Sequence, residues 1–320
     1  MRYEPSPHPS FSWSHSRDRC LLECTRAYYW RYYGSHNGWV SSAPAVAREA
    51  YLLKHLTTLP QVLGSAVHGC ARDAVIATRR REPRAGFDAM VAHVSDALNR
   101  AVLGSHHRAA FRRDPKRVMM LREVWYSGRR DGSSLVHAAA KARTCLRHLA
   151  EAAIWVDLEA CRPAWIAVAD TPEAFVHAGW PVYAGPDLVY RPGGRRVVIV
   201  DWKTGEDADA DLQIPTYALY CRKALGLRFR EGEWFGRVVN LASGEDTIRE
   251  ITRLDLLGAA ERIRDSVAAM HALVADPETN APLPREAFPL AAGADRRACA
   301  SCPFYALCGD ELEAEREVEA

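Results

Sequence analysis

Residues Tyr183 to Tyr217 read YAGPDLVYRPGGRRVVIVDWKTGEDADADLQIPTY. Val182 to Tyr190 is a short β-prone run, and Pro192-Gly193-Gly194 carries turn chemistry. Val197, Val198, Ile199 and Val200 then form an unbroken β-branched run, which predicts a buried central strand. Asp201 follows that run directly and Lys203 comes two residues later. Side chains two apart on a strand share a face, so Asp201 and Lys203 point together and Trp202 points away. A hairpin turning at Pro192-Gly194 brings the carboxylate of Asp187 beside Asp201. Gln213 and Tyr217, spaced i and i+4, share one face of the helix that follows.

Two carboxylates and an amine at adjoining strand ends are costly to pack, because like charges a few ångströms apart raise each other's pKa. A divalent cation between them removes that cost. Oxygen ligands with an open coordination shell favour Mg²⁺ or Mn²⁺ over Zn²⁺. Such a metal polarises a phosphoryl oxygen and lowers the pKa of bound water. Lys203 would hold the attacking water and offset charge developing on phosphorus. Read alone, Asp-x-Lys is also compatible with a surface hairpin bearing turn acids and a salt bridge. The ordered set Gly185-Pro186-Asp187, hydrophobic strand, Asp201-Trp202-Lys203 resembles the PD-(D/E)XK nuclease superfamily. Gln213-x-x-x-Tyr217 is similar to the motif after the catalytic lysine in its RecB-like members. The resemblance implies a restriction-endonuclease-like α/β core, a mixed central sheet flanked by helices.

At 320 residues the chain can bury a full core. Its net charge of +2 excludes a polycation, so any nucleic-acid surface has to be a local patch. Only five of its 42 basic residues are lysine, which makes a lysine in the motif less accidental. The first residues lack the apolar segment of a secretory signal, and no run approaches the roughly 20 apolar residues of a membrane span. The expectation is a cytoplasmic protein without membrane partners. Nine cysteines in a reducing compartment argue for metal binding rather than disulfides.

Upstream, Ser16 is expected to cap a helix ending near Gly34, and helices are expected over Ala45 to Leu56 and from about Pro60 to Arg81. The second contains Gly64-Ser-Ala-Val-His68, similar to the first motif of RecB-like nucleases. The resemblance implies that His68 joins Asp187 and Asp201 as a metal ligand. Arg79, Arg80, Arg81 and Arg84 suit a helix C-terminus and also phosphate contact. Helices over Phe87 to Arg108 and from Asp131 to Leu158 make residues 85–160 a helical insert. Trp165 to Ala169 and Phe175 to Tyr183 are β-prone.

The tail Cys299-Ala-Ser-Cys302-Pro-Phe-Tyr-Ala-Leu-Cys308 supplies three thiols, one short of a four-ligand site. Cys24 is the natural fourth, with Cys20 as the alternative. The pattern resembles the iron–sulfur clasp of CRISPR-associated RecB-like exonucleases, although Thr25 stands where those carry proline. That resemblance implies a [4Fe–4S] cluster rather than Zn²⁺, held by Cys24, Cys299, Cys302 and Cys308, joining segments 20–33 and 295–310 of one nuclease domain spanning 1–320. It further implies exonuclease action on single-stranded or end-exposed DNA in repair, recombination or CRISPR adaptation. No P-loop is present, so unwinding would fall to a separate helicase or a recombination or CRISPR partner. The alternatives are a structure-specific endonuclease and a non-cutting DNA-binding scaffold subunit.

Overall fold

The computed structural model describes residues 6–128, 132–167, 173–205, 210–291 and 297–319. They divide into two compact units, one of residues up to 57 with 104–128 and 265–320, the other of 58–103 with 129–264.

The second unit is built on a five-stranded sheet in the order Ile166–Ala167, Leu188–Tyr190, Val197–Lys203, Trp234–Asn240, Glu245–Glu250. The central strand VVIVDWK is buried along all but its last residue. It pairs antiparallel with Leu188–Tyr190, with Leu188 opposite Val200, and parallel with Trp234–Asn240. The expected hairpin therefore forms. Gly194 lies in its turn at φ 57, a left-handed conformation that glycine adopts without a Cβ penalty. The parallel neighbour requires a crossover, and the helix Ala210–Lys223 lies in that connection. This helix packs on the face that carries Ile199 and Asp201. A Cβ at Gly236, opposite Ile199, would fall 2.4 Å from Ile214 Cγ2.

The opposite face carries Val198, Val200 and Trp202, and Trp202 stacks on Trp155 of the helix Ile154–Ala160 at 6.1 Å. Buried Arg237 closes this layer, bonding Asp157, Tyr190 and, through two nitrogens, Asp246. The long helix Leu59–Arg80 begins with a Thr58–Gln61 capping box, which satisfies two backbone donors at once. The edge strand EDTIRE is exposed throughout and mostly charged, a composition that discourages pairing with another sheet.

Several boundaries differ from expectation. Val182 to Tyr190 is not one strand: Trp180–Ala184 pairs with Glu173–His177, and Leu188–Tyr190 belongs to the central sheet. Gly185-Pro186 separates them, since proline has no N–H for a ladder. Phe175 to Tyr183 is likewise broken, by the turn at Ala178-Gly179, both at positive φ. The helix expected to end near Leu158 is two, Gly132–Glu151 and Ile154–Ala160. Residues 131, 168–169 and 295–296 of the expected elements lie outside the described residues.

In the first unit, Ser14 rather than Ser16 caps the helix His15–Glu23, accepting from the Arg17 N–H. That helix stops at Cys24, whose extended backbone (φ −167, ψ 113) separates it from the helix Thr25–Tyr29 and a π-helical turn, Trp30–Gly34. Buried Arg26 donates to Phe288 O at 2.6 Å and to both oxygens of Glu311 at 2.8 and 2.7 Å. No described helix is long and apolar enough to cross a membrane.

Candidate functional site

The sheet brings the expected acids together. Asp187 precedes the first residue of its strand and so stands at the level of Asp201, beyond the Leu188–Val200 pair. Its Oδ2 accepts the Trp202 N–H at 2.8 Å, continuing the ladder with a side chain. Its Oδ1 lies 3.3 Å from His68 Nδ1. His68 reaches this point because the long helix passes close to the end of the central strand. A Cβ at Gly64, one turn before His68, would fall 3.1 Å from Thr204 Oγ1. Lys203 Nζ is 2.9 Å from Asp201 Oδ2 and donates to Gln213 Oε1. Asp201 Oδ2 is buried, and the Lys203 ammonium is its close ion-pair partner.

The electrostatics follow from burial. Asp201 is only 3% exposed. Burial pushes its carboxyl up to about 6; Lys203 opposes the rise and Asp187 adds to it. Burial disfavours the charged form of His68, but its hydrogen bond to Asp187 and the fields of Asp187 and Asp201 outweigh that and raise its pKa. The Tyr217 phenol is driven well above its ordinary value, by burial first and then by Asp201 and Asp187. Two carboxylates and an imidazole form a donor set whose chemistry fits a hard divalent cation. The set is not preassembled. Among the described residues no three His, Cys, Asp or Glu side chains stand as a metal-holding group. Asp187 spends its oxygens on Trp202 and His68, and Lys203 occupies the Asp201 side.

With this geometry in place, comparison with known families is decisive. The family model of the PD-(D/E)XK nuclease superfamily matches residues 12–309. The chain belongs to the PD-(D/E)XK nuclease superfamily. It is therefore a nuclease, and so a hydrolase, of a superfamily whose members act on DNA and commonly use divalent metals such as Mg²⁺ or Mn²⁺. No curated protein matches the chain.

In this nuclease Asp187 opens onto a cleft of about 250 Å³ lined also by Ser65, His68, Gly69, Arg72 and Trp202, with Asp201 buried behind it. Ser65 and Arg72 carry no motif of their own. Helical spacing was the available signal, since they lie three residues before and four after His68 and share its face. Arg72 has one weak ion pair, Nε to Asp73 Oδ1 at 3.6 Å, between half-exposed side chains. Arg81 and Arg84, which suit a helix C-terminus or phosphate contact, both have partners within the fold. Arg81 donates to Glu159 O and Cys161 O, and Arg84 bonds Glu159 Oε1 while lying over the Trp155 ring.

The nuclease's cysteine group lies within the first unit. Cys24 Sγ accepts the Ala27 N–H at 3.4 Å, from the cap position where the first helix breaks. Cys302 Sγ accepts the Phe304 N–H at 3.4 Å. Cys308 is buried beside Trp30, Ala50 and Phe304, with Cys299 and Cys302 packed against that cluster. Burial pushes Cys302 up to about 12; the Phe304 N–H lowers it, and Cys24, Cys308 and Cys299 raise it. Burial raises the Cys308 pKa, and its hydrogen bond with Trp30 in the same cluster opposes the rise. Cys20 is pushed up to about 11 by burial, and the charged groups around it are Arg31, Glu23 and Cys24. Cys302 thus feels the charges of Cys24, Cys299 and Cys308, but among the described residues no three of these thiols stand as a metal-holding group.

Proposed function

We propose that this nuclease is a divalent-metal-dependent DNase of the RecB-like type, an exonuclease on single-stranded or end-exposed DNA. The observation that carries the metal reading is the meeting of three sequence-distant groups at one strand end: Asp187 lies against His68 and bonds the Trp202 N–H, next to buried Asp201. His68, Asp187 and Asp201 would hold Mg²⁺ or Mn²⁺. Bound there, the cation supplies Lewis-acid polarisation of a phosphoryl oxygen and a more acidic water. The chain's own groups do the remainder. Lys203, partly buried and donating to Gln213, offers an ammonium to the charge that builds on phosphorus. Gln213 fixes the direction of that ammonium, and Tyr217 closes the Asp201 side with a phenol that stays protonated. Arg72 and Ser65, one turn either side of His68, face the cleft that a phosphodiester would enter.

The exonuclease and RecB-like readings rest on the motif order from His68 to Tyr217 and on the cysteine pattern. Cys24, Cys299, Cys302 and Cys308 would hold a [4Fe–4S] cluster with a structural role. The test uses linear and circular single-stranded DNA with Mg²⁺ or Mn²⁺. Linear DNA should be degraded and circular DNA spared, and Asp201→Ala and Lys203→Ala should each abolish cutting while binding persists. Cutting of circular DNA would make the enzyme a structure-specific endonuclease. Binding without cutting under any divalent metal would make it a scaffold subunit. Cleavage in excess chelator would refute the metal mechanism.

A further inference from the structure

The first unit contains a second cleft, about 520 Å³, to which the active-site chemistry assigns no role. Its origin is local. Asn37 takes a left-handed conformation at φ 56, and the next residue, Gly38, is pressed onto the helix Ala45–Leu53. A Cβ at Gly38 would lie 2.3 Å from Ala47 O and 2.4 Å from Tyr51 Cβ, so only glycine lets the loop approach this closely. The loop thereby turns Trp39 outward with 48% of its surface exposed. One side of the indole leans on Tyr51 at 5.7 Å and His36 at 5.8 Å, which fixes the ring without covering it.

The facing wall is cationic. Arg48 comes from the helix Ala45–Leu53, Arg113 from the helix Arg108–Arg113, and Lys116 from the turn after it. The cleft's other arginine, Arg112, is already paired with Glu49 and lies over Trp125, and Asp114 faces Arg117 at 3.6 Å. Arg48, Arg113 and Lys116 have no ion-pair partner among the described residues. Lys54, at the end of the same helix, is held below its ordinary pKa by burial and then by Arg31, Arg17 and Lys116, the mark of a positive field. Below the cleft, Leu52, Phe111 and Met120 pack as a buried cluster, and Thr57 bridges to Leu121, so the walls are tied together.

We infer that this cleft is a binding site for single-stranded DNA: one unstacked base on the Trp39 face, its flanking phosphates on Arg48, Arg113 and Lys116. A fixed aromatic face beside unpaired cations is what a base and its backbone require together. Duplex is disfavoured because its bases are already stacked. The volume falls within the range of small-ligand sites. The inference rests on the nuclease reading for its substrate class and adds a second contact to it.

The test measures binding of a dT oligonucleotide, and of an abasic oligonucleotide with the same number of phosphates, to full-length Asp201→Asn protein. Trp39→Ala should weaken dT binding about 10-fold or more and leave abasic binding unchanged. Arg113→Ala with Lys116→Ala, both exposed, should weaken both ligands and lower the salt slope by about 1.4. Ultraviolet crosslinking of a bromodeoxyuridine oligonucleotide should label the peptide containing Trp39. Equal affinity for dT and abasic strands, or unchanged dT binding in both variants while wild type still cuts DNA, overturns the cleft and leaves the nuclease reading standing. A wild type that neither binds nor cuts DNA overturns both.

Discussion

Replacing Asp201 by asparagine should abolish cleavage and yet make the metal-free protein more stable at pH 8. The carboxyl rises from an ordinary 3.8 to about 6 in the folded chain. A shift of about 2 pKa units corresponds to roughly 3 kcal/mol. The sign follows from its direction. A group whose pKa is raised by folding contributes stability in full below its unfolded value, and that stability is lost as pH climbs through the folded value. Above pH 6 the charged carboxylate therefore costs the metal-free fold roughly 3 kcal/mol relative to its neutral form. Asparagine has the shape of the neutral acid and leaves Lys203 its bond to Gln213. Urea unfolding in excess chelator should give Asp201→Asn a gain of about 1–3 kcal/mol over wild type at pH 8, shrinking to near zero by pH 4. Added Mg²⁺ should stabilise wild type by about 2.7 kcal/mol at a hundredfold excess over its Kd, and leave the variant unmoved. A variant less stable than wild type at pH 8, by an amount independent of pH, would falsify the reasoning.

Further outcomes are expected elsewhere. Arg72→Ala should raise KM for an oligonucleotide about tenfold, hold kcat within about twofold, and lower the salt slope of binding by about 0.7; a fall in kcat with unchanged KM would remove Arg72 from substrate binding. Gly236→Ala forces a methyl onto the Ile214 side chain and should cost about 1–3 kcal/mol in urea unfolding; a neutral result would mean that the helix Ala210–Lys223 yields freely. Wild-type protein should carry iron and broad visible absorption that Cys302→Ala loses; a colourless protein with stoichiometric zinc would decide for the other soft-metal centre. Arg26→Ala empties a buried site and loses the bonds to Phe288 O and Glu311, while Glu311 keeps Arg285 at 3.6 Å, so a loss of about 1–3 kcal/mol is expected, and a neutral result would mean that the ion pair is idle.

The acid pair was legible because strand periodicity and hairpin register are short-range rules. Val197 to Val200 could only be a buried strand, and its alternation forced Asp201 and Lys203 onto one face. The course of the chain between Tyr183 and Leu188 was not legible, because a β-prone run does not show which sheet each part joins. The helix break at Cys24 was hidden too, since nothing in Leu-Glu-Cys-Thr-Arg forbids a continuous helix. The break appears only once the thiol caps the next helix and Arg26 turns to Phe288 and Glu311. Arg72 was missed for a different reason: an arginine on a helix is ordinary until a neighbouring histidine is shown to face a carboxylate. The partners of Arg81 and Arg84 at Glu159 and Cys161 were not legible either, because they are far away in sequence.

The Arg26–Glu311 tie also bears on the order of assembly. During synthesis, residues 58–103 and 129–264 are all made before Glu311, so the sheet-bearing unit is complete first. The other unit has to wait, with Arg26 and Cys24 held open, until residues near 299–311 arrive to meet them. A ribosome stalled short of that point would present a finished sheet attached to an unclosed, thiol-bearing flank, the stage at which oxidation or a chaperone would reach this chain most easily.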